Sequence, residues 1–515
     1  MNVILVIMDT LRRDHLSCYG TEKSSSHLSK TIETPNLDKF AARGTIFDQA
    51  YLGSFPCMPA RRDFWTGRYE FPFRGWGPLE DDDLEMFHLL QNKGFINMLV
   101  SDHYHILEQD AGNYHFGFNG WDMIRGQEHD PYVTEPLEDG TKEDLDHTRS
   151  GAWYLHQKNI HGQQRVEEDL YAPRVFRRAV SWLENNANPK VRENRPFCLL
   201  VECFDPHEPW DPPFHRVESF NPGYQDKFPH SPVYGTAERF TEVEIKQMRA
   251  MYSAELTLVD HWFGHFMNTI DQLNLWEDTL MIVTTDHGFF LGEHNLIGKP
   301  DLVPLYNEMS HIPLLAYHPE GKPGTHSKEL VQLVDIFPTV NDALNIKLPT
   351  KVDQNKPIVG RGHRKAWEGV REQTLTLHGK SLVPFLKGNN EKIRNIAVTG
   401  KFGDIIRVTD GEWSLYLSPD KDRSLYWYGK REPGRTFTAR RSSYDPQEGR
   451  YNMLPYPFHK ENELYNLVED PTEENNVISE KSNEEKRLRA LFLNWLKEIE
   501  APSEVAIRYG CDKIL

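Results

Sequence analysis

The chain has 515 residues, too many for one simple core, so one large domain and at least one smaller one are expected. Apolar residues make up 38% and aromatics 12%, enough to bury a sizeable core, which excludes a disordered polymer. The net charge of −18 argues against nucleic-acid backbones as partners, but not against a small anion held in a local cationic pocket.

Val3-Ile4-Leu5-Val6-Ile7 is a continuous apolar, β-branched run that stops at Asp9, and it predicts a strand buried on both faces. Thr34-Pro35 opens a helix with Leu37, Phe40 and Ala41 at helical spacing. Leu84, Phe87, Leu90 and Gln91 predict another, with the acidic run Asp81-Asp82-Asp83 at its N-terminus. Further buried strands are predicted at Ile96–Val100, Phe197–Val201 and Leu280–Thr285. Residues 126–170 and 211–240 are polar and read as long loops; Arg74, Trp76 and Trp210 are candidates to shape a pocket with them. The longest helix starts at the capping box Thr241-x-x-Glu244, and its stripe of Met248, Tyr252, Leu256, Val259, Phe263 and Phe266 reads as core.

Near residue 390 the pattern changes. Ile396–Val398, Ile405–Thr409 and Trp413–Leu417 are short strand-like runs, Asp410-Gly411 is a hairpin turn, and Leu488 to Leu496 form an amphipathic helix. The expected fold is α/β: a large mixed, mostly parallel sheet flanked by helices over 1–390, then a smaller antiparallel sheet plus helix over 391–515. In such sheets ligands bind beyond the carboxyl ends of the strands, where Asp9 and Asp286 both fall.

Five cysteines, an odd number without disulfide or zinc spacing, point to a reducing compartment. The N-terminus lacks a basic stretch followed by a long apolar run, and no apolar run approaches the ~20 residues that span a bilayer. A cytoplasmic protein without membrane contact is the expectation.

The chemistry centres on Cys57-Met58-Pro59-Ala60-Arg61, a C-x-P-x-R pattern. Pro59 suits a first helical turn, so Cys57 sits near a helix N-terminus that favours an anion, and Arg61 lies one turn on, able to hold residue 57. Asp9, Asp286 and His287 are mostly hard ligands, mismatched to a soft thiol but suited to Ca²⁺, Mg²⁺ or Mn²⁺ once residue 57 presents oxygen. His207 in Asp205-Pro206-His207 and Lys299 after Gly292-Glu293-His294 are the candidate cations for an anionic substrate oxygen.

Together these residues resemble the sulfatase family of the alkaline phosphatase superfamily. The match also takes in Thr34-Pro35-Asn36-Leu37-Asp38, Thr66-Gly67-Arg68, Asp335-Ile336-Phe337-Pro338-Thr339 and Glu463-Leu464-Tyr465-Asn466-Leu467 ahead of Asp470-Pro471. The resemblance implies an alkaline phosphatase-like fold and a metal set of Asp9, Asp286, His287 and modified Cys57, holding one divalent cation, Ca²⁺ or Mn²⁺. It implies that a formylglycine-generating enzyme oxidises Cys57 to formylglycine, whose hydrate attacks sulfur in a small anionic aryl or sugar sulfate. Arg61, His105, His207 and Lys299 match positions around the nucleophile and sulfate, a histidine or lysine protonates the departing alcohol, and a homo-oligomer is compatible with it. Two departures stand out. Thr10 replaces a common second Asp, and Ser101-Asp102-His103-Tyr104-His105 replaces a common Gly-Lys-x-His, with His105 matching the histidine and His103 in the lysine's place as a substrate-binding residue. His287, where Asn is common, also resembles phosphonate monoester hydrolases, which leaves phosphonate monoesters and phosphodiesters as the alternative substrates.

Overall fold

The computed structural model describes residues 1–80, 83–108, 111–134, 150–160, 166–348, 376–389, 391–420, 422–429, 439–445, 450–455 and 461–511. Its frame is an eight-stranded sheet made of β1 (Asn2–Met8), β2 (Thr45–Tyr51), β3 (Ile96–Ser101), β4 (Gly120–Met123), β5 (Phe197–Cys203), β6 (Thr279–Thr284), β7 (Leu314–Tyr317) and β8 (Thr325–Gln332). The spatial order is β8-β2-β7-β6-β1-β5-β3-β4. All neighbours run parallel except β7, which is antiparallel to both β6 and β2.

Alternation along β1 explains its unbroken apolar run. Val3, Leu5 and Ile7 enter a core with Phe47, Phe64 and Ile282, while Ile4, Val6 and Met8 enter one on the opposite face with Leu256, Phe263 and Val283. A strand covered by helices on both faces has no solvent side to carry polar residues. The long helix Glu242–Gln272 covers the second face. Its first turn closes as a capping box: the Thr241 hydroxyl accepts from the Glu244 amide at 3.2 Å, and the Glu244 carboxylate accepts from the Thr241 amide at 2.7 Å.

A five-stranded sheet follows in the order Glu463–Asn466, Trp413–Leu417, Ile406–Thr409, Ala397–Lys401, Ser54–Phe55. Its last pair is parallel, the rest antiparallel, and the edge strand Ser54–Phe55 comes from just before Cys57. This pairing ties the C-terminal sheet to the helix Cys57–Thr66 and carries Lys401 to the same region. The helix Ser482–Glu498 buries Leu488, Phe492, Trp495 and Leu496 against that sheet.

Three expectations change. The helix expected at Leu84 begins at Met86; Asp81 and Asp82 lie outside the described residues, and Asp83 pairs with Arg62 and Arg74 rather than with a helix terminus. Against the cost of burial, those two guanidinium groups hold Asp83 down at about 2. The polar stretches 126–170 and 211–240 contain the helices Ser150–Ile160 and Phe214–Phe220, which their polar composition conceals. Arg74 and Trp210 are not pocket residues. Arg74 is committed to Glu70, Glu80 and Asp83, and Trp210 is fully buried against Tyr252 and Phe289 with its indole N–H on the Pro206 carbonyl at 3.0 Å.

Candidate active site

The carboxyl ends of β1, β5, β6 and β3 deliver Asp9, His207, Asp286-His287 and His103, respectively, to one rim of the sheet. The helix Cys57–Thr66 points its first residue at the same rim. Asp9, Cys57, Asp286 and His287 are buried and offer ligand atoms all within 4.8 Å of one another. The Cys57 Sγ is 3.2 Å from His287 Nε2. His287 Nδ1 faces the Gly288 carbonyl at 2.9 Å, which leaves Nε2 as the lone-pair nitrogen facing the cluster.

Electrostatics show a site built around negative charge. Burial and the charge of Asp286 push Asp9 up to about 6, although Arg61, His287 and Lys299 pull it down. Burial, with Asp9 and Asp286 adding to it, pushes the Cys57 thiol well above its ordinary range against the pull of Lys299. Two buried carboxylates, a neutral imidazole and a position that would supply oxygen fit a divalent cation by donor type, and only the thiol is out of place in that set.

Arg61 does something other than expected. Its guanidinium meets Glu202 at 2.9 Å, Asp286 at 2.7 Å and Asp9 at 3.0 Å, and it reaches residue 57 only through the backbone carbonyl, at 3.1 Å. Three carboxylates at neighbouring strand ends outbid the residue 57 side chain for one fully buried cation. Glu202 escaped the sequence reading. The available signal was a lone acid inside the apolar strand Phe197–Cys203.

His103 is likewise corrected. It is fully buried, its Nε2 lies 3.2 Å from Asp9, and burial together with the charges of Arg61 and His105 keeps it neutral. It backs a metal-type carboxylate rather than lining the cavity, because the turn after β3 aims it at the strand end of β1. Thr10 explains its own departure from the two-Asp pattern. Its hydroxyl donates to Asp9 at 2.7 Å and its amide to Asp286 at 3.1 Å, so it orients two carboxylates instead of adding a third. It does so from a left-handed backbone, φ 61°.

His207, Lys299 and His105 stand where a substrate would meet residue 57. Lys299 Nζ is 3.7 Å from Cys57 Sγ and 2.6 Å from His207 Nε2, and His207 Nδ1 is hydrogen-bonded to the Glu208 carbonyl. Together with Phe55, Trp76, Glu128, Tyr234, Asp301 and Lys401, these residues line a cavity of about 390 Å³ over Cys57. Of these, Phe55, Glu128, Tyr234, Asp301 and Lys401 were missed, since each comes from a different loop or strand and no local spacing links them.

Gly288 is fixed by close approach. Its amide donates to the Met309 carbonyl at 2.9 Å, and a Cβ there would stand 1.9 Å from the Glu308 carbonyl oxygen. Gly288→Ala is therefore expected to displace the Asp286-His287 turn and to lower turnover about 10²-fold with the chain still folded. Circular dichroism beside kinetics checks this; native turnover in the variant would contradict it.

A mixed, mostly parallel sheet with the buried Cys57 helix and a pair of buried carboxylates at its carboxyl rim belongs to a hydrolase of the alkaline phosphatase superfamily. The profile of the sulfatase family matches residues 1–346, and the chain belongs to that family. It is 24% identical over 398 residues to an arylsulfatase of Clostridium perfringens, covering 68% of this chain and 76% of that protein. Its fold matches that of a protein solved in complex with its substrate D-glucosamine-2-N,6-O-disulfate, with TM-score 0.65, 19% identity and coverage of 97% and 98% of the two chains. It also matches the phosphonate monoester hydrolase of Agrobacterium radiobacter, with TM-score 0.63, 20% identity and coverage of 97% and 95%.

Proposed function

We propose that the protein hydrolyses a small sulfate ester, of an aryl alcohol or a sugar, at residue 57 after Cys57 has been converted to formylglycine by a formylglycine-generating enzyme. The observation that carries this reading is the convergence of Asp9, Asp286, His287 and Cys57 within 4.8 Å beneath a cavity in which Lys299 stands 3.7 Å from Cys57 Sγ. Those four residues would hold one divalent cation, Ca²⁺ or Mn²⁺. When in place, the cation and the hydrated aldehyde supply Lewis acidity and an oxygen nucleophile.

The chain's own residues do the rest. Arg61 neutralises Asp9, Asp286 and Glu202 from behind, holding the two metal-type carboxylates in position. Lys299 directs its ammonium at oxygens of the ester next to residue 57, where charge gathers as the sulfur–oxygen bond weakens, and His207 holds that ammonium through Nε2. Phe55 and Trp76 wall the cavity and exclude bulk water, which strengthens those contacts.

Chelation is expected to abolish turnover of an aryl sulfate, and added Ca²⁺ or Mn²⁺ to restore it; full activity after exhaustive chelation would sink the metal reading. The second reading is hydrolysis of phosphonate monoesters or phosphodiesters with the same nucleophile, favoured by His287 and by the shared fold with a phosphonate monoester hydrolase. A panel of 4-nitrophenyl sulfate, a phosphonate monoester and a phosphodiester decides between them, and a dominant phosphonate rate would overturn the first.

A further inference from the structure

Glu128 is 2% exposed, lines the cavity, and sits on a left-handed backbone with φ 45°. Such a conformation is strained for a residue other than glycine and persists only where the surroundings dictate it. One of its carboxylate oxygens lies 3.5 Å from Nε2 of His105, and the other 3.3 Å from Nδ1 of His129. On the far side of the same ring, His105 Nδ1 meets Glu108 at 2.5 Å. The imidazole is therefore held between two carboxylates. Trp76 packs edge-on against it at 5.1 Å, and Phe204 and His103 close the remaining sides. Among the described residues, the titratable groups facing it are Glu108, Glu128, His103 and Tyr104.

The division of the cavity gives this arrangement a purpose. Lys299 and His207 face residue 57, with Lys299 on His207 Nε2 and the Glu208 carbonyl on Nδ1, so both nitrogens of His207 are engaged next to the nucleophile. His105 enters from the Trp76–Glu128 wall. Its Nε2···Glu128 distance is longer than the 2.7–3.2 Å or so of a good hydrogen bond, which leaves that N–H able to turn to a bound oxygen.

Resting on the sulfate-ester reading above, we propose that Glu128 is a positioning residue: opposite Glu108, it holds His105 with its Nε2–H aimed at the leaving oxygen of the ester. As an oxygen of hydrated residue 57 bonds to sulfur, the ester sulfur–oxygen bond breaks and its electron pair passes to the leaving oxygen. The Nε2–H bond breaks, the O–H bond of the alcohol forms, and neutral His105 regains its proton from water. Burial pushes His105 down, but Glu108 and Glu128 more than offset it and raise it above the ordinary histidine range. The donor form therefore persists to higher pH, and activity falls as pH rises through the His105 value.

Glu128→Gln tests this with shape preserved. The basic limb of kcat should move down by about one pH unit, and the His105 imidazole titration followed by NMR should move down with it. Turnover of an alkyl or sugar sulfate, whose leaving oxygen needs a proton, should fall at least about tenfold more than turnover of 4-nitrophenyl sulfate. Glu128→Asp should recover part of both effects. An unmoved His105 titration, or equal losses on the two esters, would overturn the proposal. If the native protein turns over a phosphonate monoester and no sulfate, the sulfate reading falls while the NMR shift still decides the role of Glu128.

Discussion

Replacing Cys57 with alanine is expected to lower turnover at least about 10³-fold and to leave the fold intact. The side chain opens the helix Cys57–Thr66 and faces the cavity, so its removal takes away the candidate nucleophile without opening a large void. Alanine favours the helix it would join. The same experiment includes the mass of the peptide spanning residue 57 in native material, expected to be below the encoded value because sulfur has been exchanged for a carbonyl oxygen. A variant keeping a tenth or more of native turnover would remove residue 57 from the chemistry. An unmodified thiol in fully active protein would remove formylglycine while leaving residue 57 in place.

Arg61→Met is expected to destabilise the protein by about 3–5 kcal/mol, the cost of leaving buried charge without its partner. Arg61 is fully buried and is shared among Asp9, Glu202 and Asp286 at 2.7–3.0 Å. Methionine fills much of the volume, so the loss reports charge rather than packing. Arg61→Lys recovers only part of it, since a point charge cannot reach three carboxylates from three directions. Chemical denaturation of the metal-loaded protein measures this. A loss below about 1 kcal/mol would mean that the bound cation, rather than Arg61, balances the carboxylates.

Legibility in the sequence followed the range of the interaction. Asp9, Asp286 and His287 were found because each directly follows an apolar run, and a parallel sheet brings its carboxyl ends to one rim. Cys57 and Arg61 were found because five consecutive residues carry their spacing. His207 and Lys299 were found from their place after strand ends and in the resemblance to sulfatases. The partners of these residues were another matter. Spacing puts Arg61 one turn beyond Cys57, but it turns to three carboxylates on three different strands, and His103 sits behind Asp9 rather than in the cavity.

What the sequence by itself determined is the α/β frame, the family and the cluster of Cys57 with Asp9, Asp286 and His287, because each is written in local runs and short spacings. What only the tertiary structure decided is the wall of the cavity and the charge balance beneath it. Glu128, Tyr234, Asp301 and Lys401 come from segments distant in sequence, and Glu202 hides inside a buried strand. Burial brings such residues together. The Coulomb cost of a buried charge then selects its partners by distance in space, which no spacing along the chain records.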